Sequence, residues 1–440
     1  IEEKKNISLE RFIYSLGIRH IGQENAKLIA RHLKTSHNFF RLAEENNVEN
    51  LTNIDGIGNT QIQSIKKFFL NKNNLKVLSE LEKNLLIKDI ILMNNNGLLK
   101  NKNAVLPLVA QKDKILVCGP AAHSLNLLNG AWTHTWQGLD ETYNNKYPTI
   151  KDVIEERFSS VNYFEGSKMI MKDGDETDIQ SSDLQKAVQM AKSSDVAIIC
   201  LGELPSTERP GDIYTLNLPK EQQLIVEELS KTGIPIILVL VEGRPKIIRD
   251  IEPLSDAILQ AYLPGDQGAS AIVDVLCGDI NPSGKLPYTY PRHNGVIMHY
   301  DHKQSELINA NTWKNDFYNP QWDFGFGLSY TTFEYSNMQI TNKTLSSENT
   351  LLVSVDVTNT GKMKGKEVVQ LYVRDHFASI SPSLRKLKRF TKIELEPSEK
   401  RTVAFTIGIE DLKFYGKENK WIVEEGKFSL MINSLSKDFN

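Results

Sequence analysis

Hydrophobic positions along this chain change their spacing twice. Over residues 8–88, Leu and Ile recur at helical spacing among Lys, Glu and Asn, interrupted by short Gly-bearing turns. From Lys112 the apolar residues condense into short runs, Lys114–Pro120, Val196–Gly202, Pro235–Val241 and Ala257–Tyr262. Runs of that length suit parallel strands buried on both faces. Helical stretches lie between them, Leu184–Ser193 and Lys220–Lys231 being the clearest, so a doubly wound α/β sheet with covering helices is expected. From about Thr331 the pattern alternates in short segments with polar turns, as in Leu351–Gly361, Glu367–Val373, Arg401–Ile407 and Lys427–Ile432. The chain therefore reads as multidomain: an all-α unit over 1–105, an α/β domain over 106–330 and an all-β sandwich over 331–440. The Asn- and Lys-rich stretch Asn94–Asn103 reads as the exposed junction between the first two.

Charge follows the same division. The 440 residues carry 52 basic and 55 acidic side chains, a net of −3. Residues 1–105 hold 16 Lys/Arg against 11 Asp/Glu, and the remainder holds 36 against 44. A mildly basic helical piece suits a polyanion, and an acidic remainder suits neutral ligands such as sugars. Cys118, Cys200 and Cys277 stand far apart without metal-ligand spacing and read as small core residues. No metal or cofactor is expected, and no apolar stretch reaches the ~18 residues that span a bilayer.

Two turns in the helical unit share a form. Gly17-Ile18-Arg19-His20-Ile21-Gly22 leads into Ala26, Leu28 and Ile29; Ile54-Asp55-Gly56-Ile57-Gly58 leads into Ile62 and Ile65. Glycine lets the turn backbone approach another surface closely, and the free amides at the next helix start suit a phosphate oxygen. These are the mechanics of a helix-hairpin-helix element, which holds the nucleic-acid backbone without reading bases. Ordinary Gly turns between packed helices give the same pattern once; two of them favour binding. The segment Ser8–Gly22 closely resembles the helix-hairpin-helix domain of bacterial NAD-dependent DNA ligases, a likeness that runs to about Val105. It implies weak duplex-DNA binding through residues 8–90, by Arg19, Gly22, Gly56 and Gly58, and a cytoplasmic setting. The ligase's nucleotidyl-transfer domain with its reactive lysine is not in this sequence, so ligation is not expected.

The loops after Gly119, Gly202 and Val241 fall at the carboxyl ends of the expected strands, where ligands of doubly wound sheets gather. One carries Gly202-Glu203-Leu204-Pro205-Ser206-Thr207-Glu208-Arg209-Pro210-Gly211-Asp212, another Glu242-Gly243-Arg244-Pro245. Upstream lies Ala131–Gly138, with Trp132 and Trp136 four apart. Exposed indoles offer flat platforms on which pyranose faces stack, and a carboxyl held beside an apolar surface tends to keep its proton. Taken singly, a Trp pair is more often core, an acidic loop residue more often solvated, and Arg244 an ion-pair anchor. Together with Tyr262–Gly265, Asn281–Arg292 and Phe324–Tyr330, these motifs resemble glycoside hydrolase family 3, the β-glucosidase and exo-β-glucanase family, over about 106–440. The resemblance implies Glu208 as general acid/base, Trp132 and Trp136 as sugar-subsite residues, a β-glucoside or β-glucan substrate, and a periplasmic or extracellular setting.

In that family the nucleophile is an aspartate on a preceding (β/α)₈ barrel, and residues 1–105 are too few and too helical to be one. The all-β segment resembles the fibronectin type III-like domain that closes many family 3 enzymes. The basic run Arg385–Arg389 there reads as a solvated strand face. The expected function is retaining hydrolysis of terminal β-D-glucosyl residues, in a fragment or chimera without the nucleophile-bearing barrel. The alternative is a non-specific DNA-binding chimera using the helix-hairpin-helix region.

Overall fold

The computed structural model describes residues 9–33, 39–40, 42–43, 48–54, 56–71, 73–75, 90–95, 104–108, 114–138, 146–172, 175–180, 184–296, 298–303 and 318–440. The chain divides into two compact units, Ile1–Lys88 and Asp89–Asn440.

The first unit is helical: α1 Leu9–Ser15, α2 Gln23–Leu33, a 3₁₀ turn Val48–Asn53 and α3 Asn59–Phe69. Its core gathers Phe12, Ile13, Phe39, Phe40, Leu51 and Phe69, with edge-on ring pairs Phe12–Phe39 and Phe39–Phe69. The two turns singled out above fold alike. Ile21 N–H donates to Ile18 C=O at 3.0 Å, and Ile57 N–H donates to Ile54 C=O at 3.0 Å. His20 (φ 65°) and Gly56 (φ 88°) occupy the equivalent left-handed position. Ala26 N–H then bonds Gly22 C=O and Ile62 N–H bonds Gly58 C=O, opening the next helix in each case. Ile18, Ile21, Ile54 and Ile57 are all buried, so apolar anchors fix both turns.

The second unit contains a six-stranded sheet in the order β1-β8-β7-β6-β2-β3. Its strands are β1 Ile91–Asn95, β2 Ile115–Cys118, β3 Val161–Phe164, β6 Val196–Gly202, β7 Ile236–Val241 and β8 Ala257–Gln260. All neighbours are parallel except β1 against β8. Alternate strand residues face opposite ways. Ile115, Val117, Ile198, Cys200, Val239 and Leu259 pack with helices α4 Leu125–Leu128, α5 Ile150–Arg157 and α8 Gly268–Leu276. Leu116, Cys118, Ile199, Leu238 and Ile258 pack on the other face with α6 Leu184–Ala191 and α7 Lys220–Ser230. This is the three-layer sandwich that the apolar runs imply. A β-hairpin, β4 Ser167–Lys172 with β5 Asp175–Gln180, is added to it.

Strand β1 lies upstream of residue 106, where the sequence pattern starts the α/β domain. Leu92 packs into one core layer while Ile91 and Met93 pack into the other. Leu92 C=O accepts from Leu328 N–H at 2.8 Å. Asn94 and Asn95, read from sequence as exposed junction, are buried. The Asn95 amide donates to Leu106 C=O at 3.1 Å and accepts from Val105 N–H at 3.2 Å; that of Asn94 donates to Ser255 C=O. The rest of that junction, 96–103, lies outside the described residues.

The all-β part packs a three-stranded sheet of Lys400–Ile407, Leu351–Asn359 and Phe333–Ile340 on a four-stranded one of Lys386–Leu395, Gly365–Asp375, Phe428–Ile432 and Leu435–Phe439. Val353, Val355, Val357, Val369, Leu371 and Leu430 fill the space between them. It belongs to the same compact unit as the α/β part. Lys285 pairs with Glu367 at 3.1 Å, the Asn281 amide donates to Lys364 C=O, and Gln370 donates to Gly325 C=O. In the basic run, Arg389 forms a two-point pair with Asp411 at 2.8 Å, which gives that charge a structural partner.

Candidate active site

At the carboxyl ends of the strands the loops after β6 and β8 meet the Ala131–Gly138 segment, and the loop after β7 joins that after β6. Glu203, the first residue past β6, is 3% exposed and acts as the hub. Its Oε1 accepts from Gly243 N–H and Arg244 N–H, both at 2.7 Å, and its Oε2 accepts from Arg244 Nε at 2.7 Å. Lys246, itself buried, places Nζ 3.4 Å from the same oxygen. Arg244 uses its other nitrogens on the loop beyond, reaching Gly211 C=O at 2.7 Å and Ser206 Oγ at 3.1 Å. The ion-pair reading of Arg244 is therefore correct, and the pair's second role is to hold the Glu208 loop.

Beneath this hub lies a second carboxyl. Glu242 is fully buried and accepts from Tyr290 Oη at 2.8 Å. Burial pushes its pKa up to about 8; the Tyr290 hydrogen bond opposes the rise and the charge on Glu203 adds to it.

Glu208 stands exposed at the head of the 3₁₀ turn Arg209–Gly211, with φ 56° and ψ −154°. Trp132 is 65% exposed and Trp136 44% exposed, so neither is core. The indole loop is closed by Trp132 N–H on Trp136 C=O at 3.1 Å and Thr135 N–H on Gly138 C=O at 2.7 Å. It is stitched to the Glu208 loop by Gln137, whose Oε1 accepts from Thr207 N–H at 2.9 Å and whose Nε2 donates to Thr207 C=O at 3.2 Å. Gly138, at φ 119°, backs onto Pro205 so closely that an added Cβ would meet Cγ at 2.7 Å. His134 anchors the indole loop to Asp266, past β8, at 3.3 Å.

Sequence reasoning missed Gln137, Glu203 and the 85%-exposed Tyr214, which follows the same loop. Gln137 and Glu203 lay inside the quoted motifs, but only geometry shows what they hold. A polar cleft of about 730 Å³ opens nearby, bordered by His123, Ser124, Thr149, Asp152, Glu165 and Leu204. Glu208, Trp132 and Trp136 are not among its walls; they stand on an open face.

In the helical unit, Arg19, Gly22, Gly56 and Gly58 are all exposed on the two turns. Arg19 and the left-handed His20 sit in one turn, while Gly56 and Gly58 sit in the other, with Gly58 capping α3.

Comparison with known proteins identifies the domains. The glycosyl hydrolase family 3 C-terminal domain matches residues 97–330, more than half the chain. The chain belongs to glycosyl hydrolase family 3. A fibronectin type III-like domain matches 367–436 and a helix-hairpin-helix motif matches 11–78. A lysosomal beta glucosidase of Dictyostelium discoideum is 36% identical over 352 residues, covering 77% of this chain and 42% of that protein. A DNA ligase of Pelagibacter ubique is 86% identical over 106 residues, 24% of this chain and 16% of the ligase; this likeness covers the N-terminal region. Among solved structures, a beta-glucosidase from Listeria innocua in complex with glucose aligns with TM-score 0.69 and 25% identity, over 92% of this chain and 56% of that one. The chain thus joins a ligase-like segment to family 3 C-terminal domains, and spans about half the length of the glucosidases it matches.

Proposed function

We propose that this chain carries the acid/base half of a retaining β-glucosidase site, acting on terminal β-D-glucosyl residues of a β-glucoside or β-glucan. The observation that carries the reading is the joint between Gln137 and Thr207, which unites an exposed carboxyl and two exposed indoles in one surface. Retention needs a second carboxylate about 5–5.5 Å from the first, on the opposite side of the sugar. In this reading a family 3 barrel supplies it. Glu208 protonates the departing glycosidic oxygen, then accepts a proton from the water that releases the sugar. Trp132 and Trp136 offer apolar faces to the pyranose rings.

The test is hydrolysis of an aryl β-glucoside by the chain mixed with a separately produced family 3 barrel domain. Turnover that appears on mixing and falls by about 10²–10⁴ with Glu208→Gln supports the reading. Turnover indifferent to Glu208→Gln refutes it.

A second reading concerns residues 1–88, where the matching backbone of the Ile18–Gly22 and Ile54–Gly58 turns favours duplex-DNA binding through phosphate contacts. It is independent of the first.

A further inference from the structure

Glu208 occupies φ 56°, ψ −154°, a region that residues with side chains seldom visit. Such a conformation persists only where its surroundings over-determine it, and these outliers cluster at functional sites. Here the surroundings grip the peptide on each side. Thr207 C=O belongs to the peptide plane about which φ of Glu208 turns, and Gln137 Nε2 holds that oxygen at 3.2 Å. Gln137 Oε1 holds the preceding peptide through Thr207 N–H at 2.9 Å, so one side chain fixes the peptides on both sides of Thr207. On the far side, Gly211 N–H donates to Glu208 C=O at 2.8 Å, and Gly211 C=O is held by Arg244. The Arg244 contacts tie down Ser206 and Gly211, whereas Gln137 reaches the peptide that precedes Glu208. Gln137 also follows Trp136 directly, so one side chain couples the indole loop to the acid's backbone.

We propose that Gln137 is a positioning residue: it holds the backbone of Glu208 in its left-handed conformation and so sets the carboxyl's direction relative to the indole surface. The purpose of this clamp rests on Glu208 being the acid/base; the clamp itself does not.

The experiment is a double-mutant comparison on the whole chain. Glu208→Gly and Glu208→Ala are each made alone and together with Gln137→Ala, and thermal midpoints are measured. Glycine tolerates the left-handed region and alanine does not, so the Gly variant should melt above the Ala variant. With Gln137→Ala the loop is released, and that difference should vanish. Amide exchange at Thr207–Gly211 should also speed up by about tenfold or more in Gln137→Ala. A Gly–Ala difference that survives Gln137→Ala unchanged, or is absent from the start, overturns the clamp.

The catalytic consequence is read in the barrel-supplemented assay. Gln137→Ala should slow a glucoside with a poor leaving group by about tenfold or more while sparing a dinitrophenyl glucoside, whose leaving group departs unprotonated. Equal loss on both substrates overturns the positioning role. Glu208→Gln without effect on either substrate counts against the acid/base reading and leaves the clamp to the melting data.

Discussion

Arg244 and Glu203 form a buried pair in which one carboxylate oxygen meets Nε at 2.7 Å and the other meets two backbone amides. The Glu203 side chain is nearly inaccessible, whereas that of Arg244 keeps about a third of its surface in water. Removing one partner of a fully buried pair costs about 3–5 kcal/mol, and here Lys246 and two backbone amides would remain on Glu203. Arg244→Met should therefore cost about 2–4 kcal/mol, read as a lower urea midpoint at unchanged slope. Arg244→Lys should recover little of it, because an ammonium cannot reach Glu203, Ser206 and Gly211 together. A lysine variant as stable as the parent would show that the fork geometry is irrelevant.

Glu242 gives the fold a pH dependence with a definite sign. Its carboxyl ionises near 4.5 when solvated and near 8 when folded. Below about pH 4.5 it is neutral in both states and its contribution is fully present. As pH rises toward 8 the unfolded chain releases the proton while the folded chain keeps it, so stability falls by a few kcal/mol and then levels off. Urea titrations across this window should show the decline in the parent and its loss in Glu242→Gln. A decline that persists in the glutamine variant belongs to another group.

Strand β1 ties the sheet to sequence that lies before residue 97, where the family 3 match begins. A chain of residues 89–440 should fold like the parent, whereas 97–440 should lose most of its cooperative unfolding transition. Leu92→Asp, which buries an unpaired carboxyl in the central layer, should cost more than about 3 kcal/mol. Equal urea midpoints for the two truncations would show that the sheet does not depend on β1.

Much of this architecture was legible because its signals are local. Apolar runs mark β2, β6, β7 and β8 to within about two residues at each end, and the Glu208 and Trp132–Gly138 motifs meet through Gln137 and Thr207. The parts that were hidden depend on distant partners. Asn94 and Asn95 look like loop residues until Ser255, Val105 and Leu106 satisfy their amides. Gln137 looks like a spacer until Thr207 arrives from 70 positions away. The left-handed backbone of Glu208 carries no compositional trace, because the neighbours rather than glycine impose it.

Residues 1–88 should bind duplex DNA without sequence preference and with steep salt dependence, since basic side chains on the phosphates release the DNA's condensed counterions. Arg19→Ala should weaken binding evenly across sequences and lower the slope of log affinity against log salt by about one. A folded fragment whose binding shows no salt dependence would remove the nucleic-acid reading.

The most direct test of the central claim is the initial rate of aryl β-glucoside hydrolysis by the 440-residue chain alone. A general acid contributes only when the sugar is held and attacked from the opposite side. Glu208, Trp132 and Trp136 face open solvent here. The account predicts a rate at the no-protein background, unchanged by Glu208→Gln. Robust turnover by the chain alone, abolished by Glu208→Gln, would contradict it and require a nucleophile within these residues.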